Sequence, residues 1–142
     1  MTFYYEGIMR ENIAIEKRNK GYNCGQAVFC TYCKDFGIDE EVGFKISEAL
    51  GSGLGNTKGS CGAMVAACML VGLETSTANL EKPNSKGKTY AVSRNVVNDF
   101  EEMSGATICK DIKGLETGKV LCECQDCVAN ACKIVEKYIN VK

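Results

Sequence analysis

The chain has 142 residues, 45% of them hydrophobic, a formal net charge of -1, ten cysteines and no histidine. That length favours one domain over residues 1–142, with enough apolar material to bury a core without disulfide or metal staples. The near-neutral balance excludes nucleic acid as the main partner, because phosphate binding draws on a basic surplus.

The first predicted element is a polar surface helix over 7–20, with Ile8, Ala14 and Ile15 turned inward. A second starts near Asn23 and ends at Gly37, with Cys24, Ala27, Val28 and Phe36 on its stripe. Residues 38–51 read as a helix capped by Asp39, with Val42, Ile46, Ala49 and Leu50 at helical spacing. A glycine-rich loop, GSGLGNTKG (51–59), leads to an almost wholly apolar helix over 61–72, capped by Ser60. Being apolar all round, it belongs at the centre. Residues 74–87 read as a surface loop. A helix over 88–105 turns Val92, Val96, Phe100 and Met103 inward, and a short one over 106–114 has Thr107 as its cap. The last helix, 124–140, buries Val128, Ala131, Cys132, Val135, Tyr138 and Ile139. Strand alternation is absent. The expected fold is an all-α bundle of six to seven helices around the central apolar helix.

The N-terminal stretch shows no apolar core after a basic start, and the longest apolar run, 63–73, is too short to span a bilayer. A cytoplasmic protein with no membrane insertion is expected. Thiols stay reduced there, so dense cysteine points to metal binding or redox chemistry. Without histidine there is no Cys–His catalytic pair, no CxxCH haem attachment and no histidine-bearing zinc site.

Four cysteines share one placement. Cys24 follows Asn23, Cys61 follows Ser60, Cys109 lies two residues after Thr107, and Cys127 lies in the first turn of the last helix. Unpaired N–H groups and partial positive charge at a helix start lower a thiol's pKa and favour thiolate nucleophiles and metal ligands. Gly59 and Gly62 flank Cys61 and would admit backbone amides close to a cofactor. Cys68 and Cys132 read as core. Cys30 and Cys33, in CTYC, share a helix face. Cys122, Cys124 and Cys127, in CECQDC, are too irregularly spaced for a paired-knuckle zinc ribbon. The roles of Cys30, Cys33, Cys122 and Cys124 stay open. GSGLGNTKGS lacks the phosphate-binding GxxxxGK[ST] order.

The order GYNCGQAV, glycine-rich loop, SCGAMVA, FEEMSGATICKDI and CVANACKIV resembles the redox-active C_GCAxxG_C_C family over roughly residues 15–140. Its four cysteines match Cys24, Cys61, Cys109 and Cys127. Ala66 stands at the motif's final glycine, and Gly25 where alanine is expected. The family is similar to part of the split-Soret cytochromes, whose haem-attachment motifs this chain lacks. The resemblance implies a small helical redox or metal-cluster protein. Electron transfer, with the four cysteines ligating an iron–sulfur cluster, is the first expectation. A thiol–disulfide enzyme or sensor and a structural zinc or adaptor domain are the alternatives, with zinc the less favoured metal. A redox partner protein is implied, its identity unknown, and a homodimer is compatible with the sequence.

Overall fold

A computed structural model describes residues 10–141, so Ile8 and the first residues of the 7–20 helix lie outside the described part. Seven right-handed α-helices follow: α1 Glu11–Asn19, α2 Cys24–Tyr32, α3 Glu40–Ser47, α4 Gly62–Thr75, α5 Lys86–Ser104, α6 Cys109–Lys113 and α7 Cys124–Tyr138. No strand occurs among the described residues. The all-α bundle expected from the sequence is the fold.

The apolar helix, α4, is the axle, packed by α2, α5 and α7. Ala63, Ala66 and Ala67 are buried on it and let neighbouring backbones approach, while Leu70 and Val71 fill the far end. Each fully buried Leu, Val or Phe contributes about 1.5–3 kcal/mol. Ala66 is fully buried, so the position calls for a small side chain and tolerates a methyl.

Asn23 caps α2 through a reciprocal box: the Gln26 N–H donates to Asn23 Oδ1 at 2.9 Å, and the Asn23 N–H donates to Gln26 Oε1 at 3.0 Å. Asn23 Nδ2 also donates to the Glu48 carbonyl at 2.8 Å, tying the start of α2 to the segment before the glycine-rich loop. The helix ends at Tyr32, tightens into a 3-10 turn over Cys33–Phe36, and stops at Gly37 with φ of 80°. α1 and α3 are clamped together where Lys17 Nζ and Tyr22 Oη both donate to Glu40 Oε2, at 2.7 and 2.6 Å.

Several expectations are corrected. Val42 and Ile46 are about half exposed, because α3 approaches through Gly43, where a Cβ would lie 2.8 Å from Cys33 Sγ. Ala49 is exposed too, and α3 stops at Ser47 well before Gly51. Met103 is 43% exposed, because the buried face of α5 runs through Val96, Phe100 and Ser104. Asp39 precedes α3 without closing a side-chain cap. Neither Ser60 nor Thr107 caps a helix: α4 follows Cys61 and α6 follows Ile108. Those two segments instead form an antiparallel bridge, Ser60 opposite Ile108. Its bonds run from the Cys61 N–H to the Thr107 carbonyl at 2.7 Å and from the Cys109 N–H to the Gly59 carbonyl at 2.9 Å. The bridge sets two cysteine-bearing helix starts side by side.

Candidate thiol site

Between Leu50 and Gly55 the backbone makes a left-handed turn, with φ of 52° at Ser52, 58° at Gly53 and 64° at Leu54. Each non-glycine residue so held costs about 1–2 kcal/mol, a strain kept only where surrounding contacts over-determine it. Here the contacts are with cysteines. The Ser52 backbone interacts with the Cys24 thiol. A Cβ at Gly53 would lie 2.5 Å from Cys109 Cβ, so only glycine lets Cys109 seat there.

Gly62 and Gly59 serve the same close packing. A Cβ on Gly62 would lie 2.4 Å from the Leu50 carbonyl oxygen and 2.9 Å from Cys24 Sγ. One on Gly59 would lie 2.8 Å from the Gly53 carbonyl oxygen. The space each glycine leaves is filled by protein. Gly25, at the position where alanine is expected, has its reason here as well: a Cβ would meet Leu50 Cβ at 2.6 Å.

These contacts bring sulfurs together. Cys61 interacts through its side chain with both Cys127 and Cys24, and Cys24 interacts in turn with Cys124. The result is a run of thiols, Cys124–Cys24–Cys61–Cys127, drawn from the starts of α2, α4 and α7. Cys109 stands beside it, close enough for its charge to couple to Cys124. Cys24, Cys61, Cys109 and Cys127 are buried, none more than 7% exposed, and Cys124 is half-buried. Cys124 is the member that the sequence reading missed. It occupies the first position of α7, as Cys24 does of α2, and that shared register is the signal that could have found it.

The helix-start argument predicts lowered thiol pKa values, and the structure reverses this. Cys61 is pushed up to about 12, first by its interaction with Cys127 and then by burial, although Cys24 and the Met64 N–H draw it down. Cys24 is also raised: Cys124 lowers it, but Cys61 and burial outweigh that. Cys124 is raised by Cys24 and by burial, against the pull of Arg18. Burial raises Cys109, against Lys113. Crowded, dry thiols resist ionising more than the helix ends assist them. At neutral pH Cys24, Cys61, Cys109 and Cys124 hold their protons.

Cys30, Cys33, Cys68 and Cys132 are not partners in this run, and Cys122 borders it. Cys30 and Cys33 interact with each other beneath α3, facing the carbonyls of Glu40 and Asp39. Cys132 is core, facing Tyr32. Cys68, expected in the core, is only half-buried and borders a surface hollow with Thr89 and Arg94. Cys122 is half-buried and accepts from Asn130 Nδ2 at 3.7 Å.

The all-thiol donor set suits iron–sulfur chemistry or zinc by type. Among the described residues, no three Cys, Asp or Glu side chains are grouped as a metal ion would need in the geometry the structure holds.

A family model described as "Putative redox-active protein (C_GCAxxG_C_C)" matches residues 22–138, which takes in all of these cysteines. No curated protein and no solved structure matches the chain.

Proposed function

The chain belongs to the C_GCAxxG_C_C family of redox-active proteins, and we propose that its electrons are carried by sulfur itself, as a dithiol–disulfide couple in the Cys124–Cys24–Cys61–Cys127 run. The unbroken series of thiol interactions carries this reading. Two neighbouring thiols give up two protons and two electrons to an acceptor and close one S–S bond. A disulfide formed at Cys24–Cys124 then moves inward. Cys61 attacks Cys24 Sγ, the Cys24–Cys61 bond forms and Cys124 leaves as a thiol; Cys127 repeats the step on Cys61.

The raised pKa values of Cys24, Cys61 and Cys124 support a couple on the reducing side. A reduced form that gains nothing from ionising at neutral pH lacks the stabilisation that makes a disulfide strongly oxidising. The protein on this reading donates electrons to a disulfide-class acceptor, or to a redox partner protein, in the cytoplasmic setting that keeps its thiols reduced.

A second reading keeps the iron–sulfur cluster, held by Cys24, Cys61, Cys109 and Cys127. Five thiols at one junction without a histidine favour it. It would require the sulfurs to leave their mutual contacts, and no step is derived through it.

An anaerobic redox titration against dithiothreitol, with thiol counting and metal analysis, separates the readings. The sulfur couple predicts loss of thiols in pairs with no metal present. Stoichiometric iron and sulfide, with no thiol loss at any poise, overturns it in favour of the cluster.

A further inference from the structure

Beside the outer end of the thiol run lies an open cleft of about 600 Å³, within the usual range for small-molecule sites. Cys24, Cys122 and Cys124 reach it, and Arg18 and Lys113 border it with Glu123. Arg18 interacts with Cys124, and Lys113 couples to Cys109. Neither cation belongs to any of the five ion pairs found among the described residues. Two cations against one carboxylate leave the cleft positive around the half-buried Cys124.

Resting on the dithiol reading above, we propose that this cleft binds a low-molecular-weight disulfide bearing carboxylates, held by Arg18 and Lys113, with Cys124 as the entry nucleophile and Cys24 as the resolving thiol. Cys124, after losing its proton, attacks one sulfur of the bound disulfide. A mixed disulfide forms and the first half leaves as a thiolate that takes up a proton. Cys24 then attacks Cys124 Sγ, and the second half leaves likewise. One substrate disulfide becomes two thiols, while Cys24 and Cys124 become one disulfide. Their two protons balance the two taken up by the products. Cys124 suits entry because it is half-buried, whereas Cys24 behind it is 7% exposed.

The test uses the fully reduced chain, and mass spectrometry follows its reaction with oxidised glutathione, which carries carboxylates, and with cystamine, which is cationic. At low salt oxidised glutathione should react about tenfold faster, and R18Q/K113Q should reduce that preference to about twofold, as expected when a focusing field is removed. The first mixed disulfide should map to Cys124. In C24S it should accumulate rather than resolve. If the neutral oxidant diamide closes the Cys24–Cys124 bridge but the two disulfides react equally fast, the substrate assignment fails and the dithiol reading stands. If diamide closes no bridge in the run, both fail.

Discussion

Cys61 is the hub at the scale of single residues. It has a thiol neighbour on either side, a Met64 N–H facing its sulfur, and a pKa pushed up to about 12. A group raised this far stays protonated through the physiological range and becomes a thiolate only in strong alkali. Its alkylation by iodoacetamide should therefore be much slower at pH 7.5 than that of a free cysteine, whose pKa is about 8.5. The rate should keep climbing well above pH 10, where a free thiol has levelled off. Peptide mass analysis of partly alkylated protein checks this, and a plateau near pH 9 would contradict it. Sequence position alone gives the opposite sign, because the helix-end effect is local and readable, whereas crowding by Cys24 and Cys127 exists only once three helix starts have converged.

The elements converge by means of glycine. Gly62 lets α4 begin against the Leu50 carbonyl, and Gly25 lets α2 pass Leu50. Gly62→Ala drives a methyl into backbone and should cost about 3 kcal/mol; Gly25→Ala meets a side-chain Cβ and should cost about 1–3 kcal/mol. Urea unfolding of both variants measures this, and a Gly62→Ala protein as stable as wild type would refute the packing account. The helices were largely legible. The axle α4 showed in its all-round apolarity, α2 in its Asn23 cap, and the stop after α2 in Gly37, which takes φ of 80°. The faces of α3 were not. Val42 and Ile46 have helical spacing, yet the contact is made by Gly43, which carries no hydrophobic signal. Ser60 and Thr107 were equally misleading, because a backbone bridge between distant segments took over both helix starts.

At the scale of the molecule the thiol run lies where the starts of three helices meet. No helix among the described residues is long and apolar enough to cross a membrane, and α1, α2, α4 and α7 pack together around the site. A bridge between Cys24 and Cys61, or between Cys61 and Cys127, closes a long loop and on chain-entropy grounds stabilises by about 4 kcal/mol. The oxidised protein should therefore melt several degrees above the reduced one, and calorimetry under both poises would show it; equal melting temperatures would mean that no inter-helix bridge forms. The shared helix-start placement pointed to Cys24, Cys61 and Cys127, whereas Cys124, the first residue of the helix expected over 124–140, was passed over because the irregular spacing in CECQDC drew the eye to zinc knuckles. On the proposed reading these sulfurs exchange bonds with one another. Its most direct measurement is disulfide mapping of anaerobically prepared protein after stepwise oxidation. The account predicts bridges only between neighbours in the run, Cys24–Cys124, Cys24–Cys61 and Cys61–Cys127, and in C61S only the first of these. Cysteines that stay reduced at every step, in a protein carrying stoichiometric iron and sulfide, would contradict it.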